Sequence, residues 1–438
     1  MEWYAAAALL IGSIIGLMAF GIPVAFAFLL TNIMGVFVFS TGWSGLTQIV
    51  DNSTSLITTF TLAPIPMFIL MGSLFFHTGL AIRVFDALDK LLGRIRGRLC
   101  YLTVIGGSLF STLTGSTMAN TAMLGSLLVP EMRRRGYSAH MSMGPILGTG
   151  GLAMIIPPSS LGVLLASIAN IDVGRLLIAG LLPGVVLASL YGFIIFIQTR
   201  IFPDSTPNYD IPSSTLMEKL ISVVINIMPM GIVVFMVVGF IILGITTPTE
   251  AAAFGVLGVV LLAIAFRCLT WTSIKTSMTG TIKTAGMVFF ILMNSTVFSQ
   301  LLALSGASSG MLEFATGLDL APFTILAMMF LILLALGMFM DQVSMMLLTV
   351  PIFFPLAEAL QFDLIWFGLI MLLALEISLT TPPFGLLLFV MMGVAPKGTT
   401  LWQVALAAVP YIGCALFVLV LLIIFPGLAL YLPSLMTS

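Results

Sequence analysis

The chain has 438 residues, of which 60% are hydrophobic and only 7% are charged. Soluble domains carry roughly 25% charged residues, so this composition excludes a fold that is stable in water. Its 15 Lys and Arg residues against 16 Asp and Glu residues leave no basic face for phosphates, which excludes a nucleic-acid partner. Three scattered cysteines, Cys100, Cys268 and Cys414, form neither a metal-ligand spacing nor a disulfide framework.

Continuous apolar runs fill most of the chain, which predicts membrane-embedded helices rather than the alternating strands of a membrane barrel. A helix crosses the bilayer with about 20 apolar residues, so the chain has room for roughly a dozen crossing or re-entrant helices. The start of the chain lacks the positive region of a cleaved signal peptide, so the first run is expected to be retained. In chain order the runs are 4–20, 22–40, 60–79, 99–131, 140–170, 174–200, 221–244, 250–266, 284–304, 322–362, 364–395 and 401–430.

The run 99–131 is longer than one crossing needs, and its middle carries the polar interruption 114–120. Basic residues flank the run at both ends, and positive charge stays in the cytoplasm, so both ends are expected on one side. A re-entrant hairpin with its tip at 114–120 satisfies this expectation. Two short full spans, or one long helix with basic residues at both ends, are the alternatives. The flanking residues are Arg83, Lys90, Arg94, Arg96 and Arg98 before the run and Arg133, Arg134 and Arg135 after it.

The run 322–362 is also long, but its flanks contain acidic residues and neither Lys nor Arg. We therefore predict a second hairpin that enters from the outside, with its tip at 336–342. With the amino terminus outside, this path places nearly all Lys and Arg residues in the cytoplasm. Both chain termini are then expected in the periplasm.

Four short matches recur in the same order and at nearly constant spacing in the two halves of the chain. Each half is predicted to contain three spans, an amphipathic connecting helix, a hairpin, a span broken at Pro-Pro and a closing span. The halves start on opposite sides of the membrane, so the sequence predicts an all-α inverted repeat, an architecture of secondary transporters. The matches pair Gly21-Ile22 with Gly244-Ile245, Phe68–Ser73 with Phe290–Ser295, Gly115 with Gly337, and Pro157-Pro158 with Pro382-Pro383.

A helix interrupted inside a membrane presents two chemically different ends. Its N-terminal end exposes N–H donors that suit a carboxylate, and its C-terminal end exposes carbonyl oxygens that suit Na⁺. We expect the first tip to face the break 156–160 and the second tip to face the break 378–383. Two pseudo-symmetric cation sites with an anion between them follow as a hypothesis. The alternative for each hydroxyl is a hydrogen bond to a carbonyl of its own helix.

Ionisable residues deep in apolar segments are candidates for function. Asp341 is expected to bind a cation or to gate, unless it lies in a hydrated outer vestibule. Glu376 is expected to orient the second broken helix through hydrogen bonds from backbone N–H groups. Glu250 follows Thr-Pro-Thr and is interpreted as a helix cap. His77 and His140 have no neighbouring ligands in the sequence, so we expect neither a metal site other than Na⁺ nor a cofactor.

These considerations select the candidate site residues. No acid pair or activated nucleophile of the kind that hydrolysis needs is evident, so an enzyme is not expected. The candidates for binding the substrate are Asn120, Ser159, Ser160, Asp341 and Thr381. The candidates for binding Na⁺ are Gly115, Ser116, Thr117, Pro157, Gly337, Asp341, Thr380 and Thr381.

Four segments resemble the large membrane subunit of TRAP transporters, the DctM family. The segment 115–138 is similar to that family's GSS…P-x-M-x-x-R-G-Y pattern, and 155–159 matches its IIPPS break. The segment 244–253 resembles its G-x-x-TPTEAAA pattern, and 375–385 resembles its LEI-x-x-x-TPP-x-G pattern.

The resemblance implies Na⁺-coupled uptake of an organic acid, a carboxylate or sulfonate, by an elevator movement in the bacterial inner membrane. It also implies a periplasmic substrate-binding protein of the DctP type and a small four-helix membrane subunit of the DctQ type, here expected as a separate chain. A stand-alone Na⁺/dicarboxylate symporter or exchanger of the same fold is the alternative. The implied scaffold comprises 1–80 and 174–304, with a cytoplasmic linker near 202–216, and the implied transport domain comprises 99–173 and 322–396. Connecting helices are expected at 81–98 and 305–321. A closing helix and the C-terminus occupy 397–438.

Overall fold

The computed structural model describes residues 1–40, 42–93, 95–114, 117–207, 215–318, 320–383 and 385–436. In these ranges the chain forms 22 α-helices and no strand. The helices are α1 (Trp3–Ala19), α2 (Val24–Phe39), α3 (Trp43–Ile57), α4 (Pro64–His77), α5 (Leu80–Leu92), α6 (Arg98–Thr114), α7 (Thr117–Arg134), α8 (Ala139–Ile155), α9 (Ser160–Ala169), α10 (Val173–Ala179), α11 (Leu181–Ile201), α12 (Leu216–Ser222), α13 (Met228–Ile242), α14 (Pro248–Ala265), α15 (Trp271–Leu304), α16 (Ala307–Thr316), α17 (Pro322–Leu336), α18 (Gln342–Ala359), α19 (Leu364–Thr380), α20 (Leu386–Val394), α21 (Leu401–Ile424) and α22 (Gly427–Ser434).

Many of these helices are long and apolar enough to cross a membrane. Among the described residues there are seven such helical segments, and eight when the bent pair α8 and α9 counts as one span. Shorter apolar helices, such as α1, α2, α17 and α19, lie beside them. A helix satisfies its backbone hydrogen bonds internally, which is what a lipid environment demands. The predicted class, an all-α polytopic membrane protein, is confirmed.

The predicted runs contain most of the observed helices; the run 401–430 is divided into α21 and α22, and three further differences have a clear local cause. Helix α3 was not predicted, because polar residues such as Gln48 and Asp51 interrupt its apolar pattern. Helix α15 begins at Trp271 rather than at 284, because Thr270 and Ser273 cap it and its two lysines are exposed. The run 174–200 is divided at Gly180 into α10 and α11.

Polar residues at helix starts supply the acceptors that the first backbone N–H groups need. The Glu250 carboxylate accepts the Thr247 N–H at 2.8 Å, and the Thr247 hydroxyl accepts the Glu250 N–H at 3.3 Å. This reciprocal capping box confirms the interpretation of Glu250 as a cap. The same arrangement starts α12, α15 and α21.

Both halves contain a helix that is interrupted at a Pro-Pro pair. Helix α8 ends at Ile155 and α9 begins at Ser160, with a bend of 43° between them. Helix α19 ends at Thr380 and α20 begins at Leu386. The bonds Pro157-Pro158 and Pro382-Pro383 are both cis. The two breaks therefore correspond in sequence position and backbone form, while the opposite orientation of the halves stays a prediction.

The predicted first hairpin corresponds to α6 and α7, which pack on each other and on α8. An added Cβ at Gly107 of α6 would lie 3.1 Å from Leu124 Cδ1 of α7 and 2.8 Å from Thr149 Oγ1 of α8. Gly107 and Leu124 lie at similar distances along the chain from 115–116, as expected of two antiparallel helices. The tip residues Gly115 and Ser116 lie outside the described residues. Entry and exit on one side of the membrane stays a prediction.

The amphipathic helix α5 lies in the predicted connecting range 81–98 and is tied to α6 by an ion pair. The Arg98 guanidinium lies 2.6 Å from the Asp89 carboxylate and also donates to the Asp89 backbone carbonyl. Arg98 is only 3% exposed, so most of its charge is removed from solvent. The apolar face of α5 is buried through residues that include Val84, Phe85 and Leu88. One buried cation therefore fixes where α5 meets α6.

Replacing Arg98 with alanine is expected to destabilise the purified protein by about 2 kcal/mol, because hydrogen bonds to a buried charged group are lost. Arg134→Ala is the matched control, since Arg134 pairs with Glu131 at 2.8 Å but is 76% exposed. Exposed pairs contribute about 1 kcal/mol or less. Thermal unfolding in detergent measures both variants. Equal shifts in Tm would show that the burial of Arg98 does not increase the contribution of its ion pair to stability.

Candidate functional site

A cavity of about 440 Å³ lies between two groups of helices. One wall is formed by α4 and α15, through residues such as Ile69 and Met287. The other wall is formed by the beginnings of α7, α9 and α18, through Met118, Leu161 and Val343. Its size lies in the range of roughly 300–1,000 Å³ that is typical of small-molecule sites.

Three helices begin at this cavity. Ser160 is the first residue of α9, Gln342 is the first residue of α18, and Met118 is the second residue of α7. N–H groups in the first turn of a helix have no acceptor in that helix, and the helix dipole is positive there. Three such ends directed at one cavity create a region that favours an anion.

Gln342 joins the beginnings of two of these helices. Its Nε2 atom donates to Thr117 Oγ1 at 3.2 Å, and it lies 2.9 Å from Met154 Sδ near the end of α8. Gln342 is 5% exposed and Thr117 is fully buried. A single amide therefore connects α18, α7 and α8 at the edge of the cavity.

Asp341 lines the cavity and caps α18. Its carboxylate accepts the Val343 N–H at 3.1 Å and the Ser344 hydroxyl. The negative charge thus already occupies the positive end of α18. The first turns of α7 and α9 carry no acidic residue, although the Ser159 hydroxyl accepts the Gly162 N–H of α9 at 3.1 Å, so these two ends suit an anionic ligand better than the end of α18 does.

His77, at the end of α4, brings a polar group to the opposite wall. Its Nδ1 atom lies 2.8 Å from the Ser73 carbonyl oxygen, which requires Nδ1–H to donate. The hydroxyls of Ser73 and Ser277 lie 3.3 and 3.4 Å from the same nitrogen. His77, Ser73 and Thr284 line the cavity. The sequence could not indicate the contact of His77 with Ser277, because Ser277 is 200 residues away along the chain.

The five residues expected to bind substrate are distributed differently. Ser160 and Asp341 line the cavity. The Asn120 side chain is buried and donates to the Thr149 carbonyl of α8 at 3.3 Å, and Ser159 is buried as the cap of α9. Thr381 donates to the Ile377 carbonyl at 2.6 Å. The structure thus brings two of the five to the cavity, and adds Gln342 and His77, which the sequence did not select.

The residues expected to bind Na⁺ lie at the breaks and tips. Pro157 lies in the first break, and Gly337 packs directly on Ser378 of α19. The Thr380 hydroxyl donates to the Ile377 carbonyl at 3.0 Å. This is a hydrogen bond to a carbonyl of its own helix, the alternative to cation binding considered for each hydroxyl. Such a hydroxyl uses its hydrogen and keeps its oxygen lone pairs, so it stays a possible cation ligand.

Glu376 differs from its expected role. It is 3% exposed in α19, its carboxylate packs on Gly151 of α8, and its Oε2 atom has no hydrogen-bond partner among the described residues. Hydrogen bonds from backbone N–H groups were expected. Glu376 instead lines a small cavity together with Tyr191 and Tyr411, and its carboxylate lies against α8.

A helical membrane bundle with interrupted helices beside a ligand-sized cavity is the arrangement expected of a membrane transporter. The fold is similar to that of the YdaH transporter of Alcanivorax borkumensis, with a TM-score of 0.61, 13% sequence identity, and coverage of 89% of this chain and 90% of that chain. The family model described as "Tripartite ATP-independent periplasmic transporter, DctM component" matches residues 11–428. The chain therefore belongs to the DctM family and is a transporter subunit rather than an enzyme.

Two curated relatives show how the family varies. The C4-dicarboxylate TRAP transporter large permease protein DctM of Pseudomonas aeruginosa is 33% identical over 378 residues, which is 86% of each chain. The ectoine TRAP transporter large permease protein TeaC of Halomonas elongata is 28% identical and covers 98% of this chain and 99% of its own. The family resemblance seen in the sequence motifs is confirmed.

Proposed function

We propose that the protein is the large permease subunit of a TRAP transporter that takes up an organic acid with Na⁺ by an elevator movement. The position of the cavity carries this proposal. One wall, α4 and α15, belongs to the ranges predicted as scaffold, and the other, the beginnings of α7, α9 and α18, belongs to the predicted transport domain. A ligand held at that boundary moves across the membrane if one group of helices slides along the other.

The breaks support the choice of Na⁺. The C-terminal ends of α8 and α19 direct carbonyl oxygens towards the two Pro-Pro segments. Thr380 and Thr381 add neutral hydroxyl oxygens at the second break, and Thr117 adds one near the first. Hard oxygen donors of this kind suit Na⁺.

The proposal includes two partners, a periplasmic binding protein of the DctP type that delivers the acid and a small four-helix membrane subunit of the DctQ type. The relatives named above are permeases for a C4-dicarboxylate and for ectoine, so the class of substrate varies within the family. We place the permease in the bacterial inner membrane, with both termini in the periplasm.

The test is uptake of radiolabelled organic acids by proteoliposomes that contain the permease, the small subunit and the binding protein. Uptake is expected with an inward Na⁺ gradient and not with a K⁺ gradient. Uptake without the binding protein would instead support a stand-alone symporter or exchanger. Equal uptake in Na⁺ and K⁺ would refute Na⁺ coupling.

Replacing Thr381 with valine is expected to raise the Na⁺ concentration for half-maximal uptake at least threefold, because one neutral oxygen ligand is lost. Thr316→Val is the matched control, since Thr316 also donates to a carbonyl four residues back, at 2.9 Å, but lies on α16 outside both breaks. Uptake by Thr316→Val should keep the Na⁺ dependence of the parent chain. An unchanged Na⁺ dependence in Thr381→Val would remove Thr381 from the site.

A further inference from the structure

The composition of the 440 Å³ cavity restricts the ligand further. Most of its lining is apolar, and the apolar side chains come from both walls, so a ligand inside contacts hydrocarbon on two sides. The apolar lining residues are Ile65, Ile69, Phe76, Met118, Ala119, Met123, Leu161, Leu164, Met287, Val288 and Val343.

The charged side chains around the cavity also restrict how many carboxylates a bound ligand can carry. Among the described residues that line it there is neither Lys nor Arg, and Asp341 contributes a carboxylate. His77 is the one imidazole among the described lining residues, and its Nδ1–H is already directed at the Ser73 carbonyl. A first carboxylate of a ligand finds helix N-termini at α7 and α9. A second carboxylate finds neither Lys nor Arg among the described lining residues, meets mostly apolar side chains on both walls, and adds a negative charge to a cavity that already holds Asp341.

We propose that the substrate of this permease is a monocarboxylic acid with an apolar body, and not a dicarboxylic acid. This inference rests on the proposed function and narrows its substrate class. Transfer of an ionised carboxylate from water to an apolar surface is strongly unfavourable unless a charge or hydrogen bonds compensate it. An alkyl group at the same place gains from burial against the same surface. The preference follows from this chain's own lining, although one relative is named for C4-dicarboxylates.

Hexanoate and adipate form a matched pair of probes, because both have six carbons and differ only in a methyl or a carboxylate at the far end. Binding of each to the permease, purified together with its small membrane subunit in lipid nanodiscs, is measured by calorimetry in Na⁺ and in K⁺. We expect hexanoate to bind at least tenfold more tightly than adipate in Na⁺. Equal or tighter binding of adipate would overturn the inference and leave the proposed transport function standing.

Absence of hexanoate binding in Na⁺ would also overturn the inference, and the uptake assay would then decide the proposed function separately. A gain-of-charge variant gives a second measurement. Met287 is 55% exposed on α15, so Met287→Lys adds a cation to the apolar wall without filling a packed site. This variant should bring the affinity for adipate to within threefold of that for hexanoate. Met287→Gln, which adds polarity without charge, should keep the original preference.

Discussion

Replacing Gly180 with alanine is expected to lower the Tm of the permease and to reduce sharply the accumulation of folded protein. Gly180 lies between α10 and α11 in ordinary helical backbone, so alanine is allowed by its dihedral angles. The added Cβ would nevertheless overlap the backbone carbonyl of Ile155, the last residue of α8 before the first Pro-Pro break. A backbone carbonyl has no alternative rotamer, so either α8 or the α10–α11 pair must shift. Overpacking of this kind costs roughly 1–3 kcal/mol or more in well-packed interiors.

Gly192→Ala is the control for this experiment. Gly192 lies on α11, the helix that follows Gly180, and an added Cβ there meets no atom within 4 Å. Alanine is a better helix former than glycine, by about 1 kcal/mol in an open helical position. Size-exclusion profiles and Tm of the two variants in detergent make the comparison. A monodisperse Gly180→Ala protein with the parent Tm would show that α8 is not held against α10 as described.

Replacing Gln342 with alanine is expected to lower the initial rate of uptake about tenfold while the protein still inserts and folds. The amide that joins the beginnings of α18 and α7 is lost, and the buried Thr117 hydroxyl loses its donor. Leaving a buried polar group unsatisfied costs about 1–3 kcal/mol. A difference of 1.4 kcal/mol corresponds to a factor of ten in an equilibrium. We expect both a lower Tm and slower uptake, since the same hydrogen bond holds two helix ends at the cavity.

Thr117→Val removes the other partner of this hydrogen bond with little change in shape. Because the two side chains act as a pair, the double variant should be no slower than the slower single variant. Fully additive losses of uptake would show that the Gln342–Thr117 contact is not what matters. Normal uptake by both single variants would exclude any role of this contact in the transport cycle.

The sequence alone predicted the parts of the fold that depend on local pattern. Apolar runs gave the polytopic helical class, because backbone in lipid must be hydrogen-bonded within its own segment. Polar and proline interruptions predicted both broken helices. The residues around Glu250 predicted that it caps a helix, which the structure confirms. Helix α3 was missed, since its pattern is too polar for the rule that found the other helices.

Side-chain direction could not be predicted in the same way. Asn120 and Ser160 were both selected near interruptions, yet Asn120 turns towards α8 whereas Ser160 lines the cavity. Both lie in the first turns of helices, where a change of one residue rotates a side chain by about 100°. Which face meets a neighbour then depends on packing between helices and not on the local sequence.

Composition, hydrophobic runs and motifs thus determined the membrane class, the family and the positions of the breaks, because each is encoded over a few neighbouring residues. The tertiary structure decided the cavity, the meeting of three helix beginnings around it and the partner of Gln342. Thr117 and Gln342 are 225 positions apart in the chain, and only the tertiary arrangement that brings the beginnings of α7 and α18 together places their side chains in contact.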